Sequence, residues 1–168
     1  ITSSYQYDGL GRQLKVTDAN GCVKQFVYDN QGRLIQSCID PEGINSITDF
    51  SYDDRGLLLR QTELNAHGLN KTTAYEWDHL GRRTATIIDP DGLKSTTVFE
   101  YDASDNLICQ TDANQHSTHY IYDVNNRCRY EINPRGVVTE HVYDINGYEI
   151  QTHRYASPIS LLSHYDEL

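Results

Sequence analysis

Aromatic and polar residues alternate along the chain with a period of two, and the alternation stops roughly every ten residues at a group of turn-forming residues. In Lys24-Gln25-Phe26-Val27-Tyr28, for example, Lys24, Phe26 and Tyr28 would share one face of a strand. A period of two with threonine and aromatic residues is typical of β-strands, and no stripe of helical spacing continues across the turn residues. The pattern therefore predicts an all-β chain of short strands.

The first turn motif is an aromatic residue followed by aspartate, and it recurs seven times at intervals of 21 to 25 residues. Four residues after the aromatic residue stands glycine in five copies, and Asp105 or Asn126 in the other two. These residue types enter the left-handed backbone region at the lowest cost, so each copy predicts a turn with a positive φ there. The signature residues are Tyr7, Asp8 and Gly11; Tyr28, Asp29 and Gly32; Tyr52, Asp53 and Gly56; Trp77, Asp78 and Gly81; Tyr101 and Asp102; Tyr122 and Asp123; and Tyr143, Asp144 and Gly147.

A second turn motif lies between successive first turns and begins with aspartate or asparagine. In a type I turn these residues cap the first position, proline suits the second and glycine suits the fourth. The copies are Asp18 to Gly21; Asp40, Pro41 and Gly43; Asn65 to Gly68; Asp89, Pro90 and Gly92; Asp112 to Gln115; and Asn133 to Gly136.

Two turns per repeat predict one β-hairpin per repeat, so we expect residues 1–154 to hold seven repeats and roughly fourteen strands in a meander. From the second turn to the next aromatic residue the distance is 7 or 9 residues and never 8. Because two extra residues preserve the faces of a strand, the aromatic residues are expected on one face and largely polar residues on the other. Residues 155–168 depart from the pattern and are expected to be degenerate or to start a following element.

Composition narrows the classes of function. The chain has 168 residues, 14 Lys and Arg, 24 Asp and Glu, and a net charge of −10. Such a chain repels phosphate backbones and anionic lipids, so we expect no nucleic-acid binding and no membrane insertion. Apolar residues make up 38 %, which is little for a thick core. Methionine is absent, and we expect the sequence to be a piece of a longer chain.

The segment Tyr28-Asp-Asn-Gln-Gly-Arg-Leu34, followed by Asp40-Pro-Glu-Gly43, resembles the YD repeat of RHS proteins. The resemblance covers about residues 5 to 155, with both turns in phase in seven copies. RHS-type proteins include bacterial polymorphic toxins, the B and C components of insecticidal toxin complexes, contact-inhibition toxins and animal teneurins. The resemblance implies a coiled β-ribbon that closes as a hollow shell, with a toxic C-terminal domain inside it in the bacterial members.

From this resemblance we expect a non-catalytic structural segment of a secreted or cell-surface protein. Its expected partners are the remainder of the RHS parent chain and the enclosed toxin domain, with self-association as a further expectation. The alternative is a YD-repeat module for carbohydrate binding or cell adhesion, because tyrosine columns also stack on sugars. Nothing in the sequence matches the autoproteolytic core segment of the family. Arg follows the first-turn residue in four copies only, so a structural role for it is not expected in every repeat.

Candidate chemistry is sparse, and we expect no catalytic residue, no cofactor and no metal. The repeated aspartates could form carboxylate pairs or a calcium ladder, but capping of the turns by their side chains needs only local backbone donors. His116 and His119 would point to opposite faces of a strand, which is poor geometry for one metal. The cysteines are expected to be free thiols, with a bridge between the first two left open: Cys22, Cys38, Cys109 and Cys128.

Overall fold

The computed structural model describes residues 2–43, 45–64 and 70–155. Within these ranges it contains fourteen strands and no helix, which confirms the all-β meander. None of the described residues form a helix with the length and apolarity needed to cross a membrane. The second turn predicted at Asn65 to Gly68 lies outside the described residues, as does the chain after Tyr155.

The chain divides into two units, Ile1–Ser95 and Thr96–Leu168. In each unit the strands pair antiparallel in the order of the chain. The first unit holds β1 (Ser4–Tyr7), β2 (Gln13–Thr17), β3 (Val23–Tyr28), β4 (Leu34–Ile39), β5 (Ser46–Tyr52), β6 (Leu58–Leu64), β7 (Lys71–Trp77) and β8 (Arg83–Ile88). The second unit holds β9 (Ser95–Tyr101), which begins at its boundary, β10 (Leu107–Thr111), β11 (Ser117–Tyr122), β12 (Cys128–Ile132), β13 (Val138–Tyr143) and β14 (Glu149–Arg154).

Every hairpin that closes on a first turn contains a β-bulge at the same place, a feature that the residue pattern alone does not predict. In the second repeat Val27 pairs with Gln36 and Tyr28 with Leu34, which leaves Ile35 as the extra residue. A bulge of this kind increases the local right-handed twist and re-aims the neighbouring side chains. The extra residues of the seven hairpins are Leu14, Ile35, Leu59, Thr84, Ile108, Arg129 and Ile150.

The second turns have the predicted hydrogen bond but use their glycines in two ways. The fourth-residue N–H donates to the first-residue carbonyl at 3.0 Å in both Asp18–Gly21 and Asp40–Gly43. Gly21 has a φ of 85°, whereas in the second copy the positive φ falls on Asp40 and Asn45. A Cβ at Gly43 would collide with the carboxylate of Asp40, so any other residue there would require that carboxylate to move.

The face opposite the paired aromatic residues is less polar than expected. Cys109 and Ile132 both pair with His119, which precedes Tyr120 on β11 and therefore points to the other side of the sheet. The same register argument applies to all four hydrophobic residues that are buried among those described: Ala85, Cys109, Ile132 and Val138. The prediction of a largely polar second face does not hold at these positions, and Ile132 and Val138 pair directly on adjacent strands.

Candidate functional site

The first turn is built around the aspartate carboxylate. In the second repeat Asp29 Oδ1 accepts hydrogen bonds from the backbone N–H groups of Gln31 and Arg33, both at 2.9 Å. The N–H of Gly32 donates to the Asp29 carbonyl at 3.0 Å, and the Asp29 N–H donates to the Arg33 carbonyl at 2.9 Å. The carboxylate thus caps a five-residue hairpin loop, which is the local capping expected from the sequence.

The predicted positive φ at the fourth residue after each aromatic residue is confirmed in all seven copies. The angles are 80° at Gly11, 85° at Gly32, 86° at Gly56, 84° at Gly81, 67° at Asp105, 59° at Asn126 and 88° at Gly147. Residue choice at this position is therefore set by a backbone conformation that glycine adopts freely and that Asp and Asn adopt at low cost.

The arginine after the first-turn residue joins one repeat to the next. Arg33 Nε donates to Asp29 Oδ2 at 2.7 Å, and its Nη1 donates to the carbonyl of Asp53 at 3.0 Å. Its Cζ lies 5.1 Å from the centroid of the Tyr52 ring, within the range of a cation–π contact. We call this arrangement the inter-repeat clasp. In it, a guanidinium contacts the carboxylate of its own turn, and the backbone carbonyl and the aromatic ring of the next repeat.

Two further copies of the inter-repeat clasp have the same geometry. Arg12 and Arg127 lie 2.6 and 2.7 Å from the carboxylates of their own turns, and 3.3 and 3.2 Å from the carbonyls of the next. Their Cζ atoms lie 5.0 and 4.9 Å from the centroids of the next tyrosine rings, Tyr28 and Tyr143.

The aromatic residue of each motif also contacts the preceding repeat, because its polar group donates a hydrogen bond to a backbone carbonyl there. Tyr52 OH donates to the carbonyl of Leu34 in the preceding hairpin at 2.7 Å, and burial raises the pKa of this hydroxyl. Trp77 replaces tyrosine without loss of the bond, because its Nε1–H donates to the Leu58 carbonyl at 2.8 Å. The equivalent bonds in other repeats run from Tyr28 to Gln13, from Tyr122 to Leu107 and from Tyr143 to Cys128.

Two repeats that lack the arginine retain part of the inter-repeat clasp. Arg55, two residues before the missing position, donates from Nε to Asp53 Oδ2 at 3.0 Å and from Nη1 to the Asp78 carbonyl at 2.8 Å. Asn106 donates from Nδ2 to Asp102 Oδ2 at 2.9 Å. The role of the arginine is thus not shared by every repeat, and in these two copies another residue supplies the donor to the aspartate carboxylate.

Hydrogen bonding to the ionised form lowers the pKa of several first-turn aspartates below the ordinary 3.8. For Asp8 and Asp29 the largest contribution is the backbone N–H of the following arginine. For Asp123 it is the hydrogen bond from the Arg127 side chain. The carboxylates of these turns therefore stabilise the fold as anions.

Acid is expected to destabilise the protein through these carboxylates. A carboxyl whose pKa is lower in the folded chain stabilises it above the unfolded value of 3.8, and this stability is lost as the pH falls through the lowered folded value. The melting temperature should therefore fall between about pH 5 and about pH 2, measured by circular dichroism. Asp29→Asn is the matched control, since asparagine keeps an oxygen acceptor but not the charge. An acid dependence as steep in this variant as in the wild type would contradict the assignment to Asp29.

The other residues considered for chemistry do not converge. His116 Nδ1 lies 3.4 Å from Asp112 Oδ2 in its own second turn. All four cysteines are free thiols, so the open alternative of a bridge between Cys22 and Cys38 is not formed. Within residues 2–43, 45–64 and 70–155, no three His, Cys, Asp or Glu side chains are grouped so that they could hold a metal ion. His67 and His164 lie outside the described residues.

Comparisons with known proteins place the fold. A chain of the TcdB2-TccC3-TEV crystal structure matches with a TM-score of 0.68 and 17 % identity over 90 % of this chain. A chain of the TcdB2-TccC3 crystal structure gives 0.67 and 17 % over 91 %, and one of the Photorhabdus luminescens Tc holotoxin pore gives 0.66 and 16 % over 91 %. This chain spans 8 % of the length of each. The resemblance to RHS repeats is thus confirmed for the fold. No protein-family model and no curated protein matches the sequence.

Proposed function

We propose that this chain is a non-catalytic structural segment of an RHS-type shell that encloses a toxin or effector domain. The inter-repeat clasp carries the proposal, because it uses the recurrent charged residues to hold consecutive hairpins together. Aspartates and arginines that could serve catalysis in another fold are bonded within their own turn or to the next turn at 2.6–3.3 Å. The tyrosine hydroxyls donate to strand carbonyls of the preceding hairpin. The likeness of the fold to toxin-complex chains supports the same role.

The small number of buried side chains and the exposed apolar residues also support a role as part of a larger protein. Among the described residues, only four hydrophobic side chains are buried: Ala85, Cys109, Ile132 and Val138. Several first turns carry an apolar side chain at the tip, such as Val124 and Ile145, each 99 % exposed. Exposed apolar groups of this kind are covered in most proteins by a neighbouring surface. The partners proposed for that surface are the remainder of the parent chain and the enclosed domain, in a secreted or cell-surface protein.

A carbohydrate-binding or adhesion module is the alternative, and the geometry favours it less. The polar atoms of Tyr28, Tyr52 and Trp77 donate to backbone carbonyls and therefore have no free donor for a sugar. Tyr5 and Tyr7 on β1, and Tyr148 in the first turn of the last repeat, are more than half exposed and remain candidates. A sugar titration followed by tyrosine and tryptophan fluorescence would distinguish the two functions, since a wall segment is expected to show no saturable change.

Self-association of the isolated chain tests the structural role. β1 and β14 stand at the ends of the strand order, and an edge strand presents unpaired backbone groups that invite another chain. The net charge of −10 opposes association, and salt screens it. We expect the oligomer fraction in sedimentation velocity to rise with both protein concentration and salt.

A matched variant identifies the surfaces responsible. Tyr5→Lys on β1 combined with Ile150→Lys on β14 adds charge to both edge strands at exposed positions, which is expected to keep the protein monomeric. A wild-type protein that stays a stable monomer at high concentration and high salt would overturn the proposal, because it would satisfy its own edges.

A further inference from the structure

The fifth repeat departs from the inter-repeat clasp in a way that leaves its target groups in place. Asn106 stands where arginine stands in other repeats, and its Nδ2 donates to Asp102 Oδ2 at 2.9 Å and to Asn126 Oδ1 at 3.0 Å. The Asn106 side chain is short, and its amide hydrogen-bonds to Asn126 in the first turn of the next repeat. The next-repeat ring, Tyr122, and the next-repeat carbonyl, that of Asp123, are the groups that a guanidinium contacts in the other copies.

A cavity of about 650 Å³ opens at this place, and its lining includes Asp102, Asn106, Tyr122 and Asp123. One repeat later, the corresponding space beside Arg127 and Tyr143 measures about 220 Å³. Equivalent positions of consecutive repeats line the two spaces. In each case these are the first turn and the bulge residue of one hairpin, together with the first strand of the next hairpin. The copy with asparagine is therefore about three times as large as the copy that holds its own guanidinium.

The chemistry of the larger cavity suits a cation. Its lining includes the carboxylates of Glu100, Asp102 and Asp123, and among the described residues it includes no lysine or arginine. Asp123 is already paired with Arg127, and Asp102 accepts from Asn106, so these two carboxylates add a negative field rather than vacant acceptors. A tyrosine ring attracts a cation above its face, and a planar guanidinium presents several donors that match carboxylate and carbonyl oxygens. The net charge of −10 adds a long-range attraction for a basic ligand.

We propose that this cavity binds the guanidinium group of an arginine side chain presented by another polypeptide segment. The bound guanidinium lies over the Tyr122 ring and donates to the carbonyl of Asp123, as Arg33 does at Tyr52 and Asp53 within the chain. Arg12, Arg33 and Arg127 each lie over a tyrosine ring of the next repeat, and these contacts are the internal precedent for this geometry. The cavity thereby gives one repeat of the ribbon a receptor for a basic segment.

A nuclear magnetic resonance titration of the full 168-residue chain tests the site. The probes are N-acetyl-arginine methylamide, the isosteric but uncharged citrulline derivative, the lysine derivative and a blocked Gly-Arg-Gly peptide. We expect arginine and the peptide to shift the resonances of residues 102–106 and 120–126. Citrulline is expected to bind at least about tenfold more weakly, because it lacks the charge for the ring contact. Lysine is expected to bind more weakly than arginine, because its ammonium is not planar.

Two variants separate cavity filling from other effects. Asn106→Arg supplies the missing guanidinium from within the chain, so it is expected to abolish binding and to raise the melting temperature. Asn106→Ala leaves the cavity open and should retain binding. Shifts by citrulline equal to those by arginine, undiminished binding in Asn106→Arg, or no shift at tens of millimolar probe would each overturn the proposal. Binding of free arginine but not of the peptide would overturn a polypeptide source. The citrulline comparison needs only the wild-type chain, so it decides even if a variant fails to fold.

Discussion

Replacing Gly32 by valine is expected to lower the free energy of unfolding by about 1–3 kcal/mol, the usual cost of a residue held in a sparsely populated backbone region. Gly32 has a φ of 85°, which a β-branched residue rarely adopts. Space is not the obstacle, because a Cβ at this position would meet only Arg12 Nη1, at an ordinary 3.7 Å. The loss therefore reports the backbone conformation of the first turn.

Chemical denaturation followed by circular dichroism measures this change. Gly9→Val is the matched control: Gly9 lies in the first turn of the first repeat, has nothing within 4 Å of an added Cβ, and lacks a positive φ. Its change is expected to stay within about 0.5 kcal/mol, as for most surface substitutions. Equal losses in the two variants would show that side-chain bulk, and not φ, limits the turn.

Replacing Arg33 by alanine is expected to lower the free energy of unfolding by about 1–2 kcal/mol, through loss of the ring contact with Tyr52 and of the hydrogen bond to the Asp53 carbonyl. From the sequence alone, an exposed Arg33 would matter much less than Gly32. The structure leaves its side chain only 28 % exposed and pairs it with Asp29. The two substitutions are therefore expected to have comparable effects.

Two controls accompany the Arg33 measurement. Arg135→Ala removes an exposed arginine from a second turn and should change stability by less than about 0.5 kcal/mol. A double-mutant cycle of Arg33→Ala with Tyr52→Leu should be non-additive, because the two side chains share one contact. A change at Arg33 no larger than at Arg135, or strict additivity with Tyr52, would contradict the inter-repeat clasp as a source of stability.

The sequence by itself determined the local features, since these depend on residues close together in the chain. A carboxylate that caps backbone N–H groups two and four residues later, as Asp29 does, needs no distant partner. The positive φ at Gly32 and Asn126 follows from the cost that a Cβ meets in that region. The alternation of aromatic and polar residues between the turn motifs predicted the all-β meander of seven hairpins.

Only the tertiary structure decided how one repeat holds the next. The bonds from Arg12, Arg33 and Arg55 to the following turn span 17, 20 and 23 residues, and Arg55 reaches its target from a different position in the motif. Motif spacing cannot reveal such bonds, because they depend on which side chains adjacent hairpins bring together. The cavity beside Asn106 could not be predicted for the same reason. In the sequence, Asn106 is only a departure from the arginine of the motif, and the structure is needed to show the space beside it.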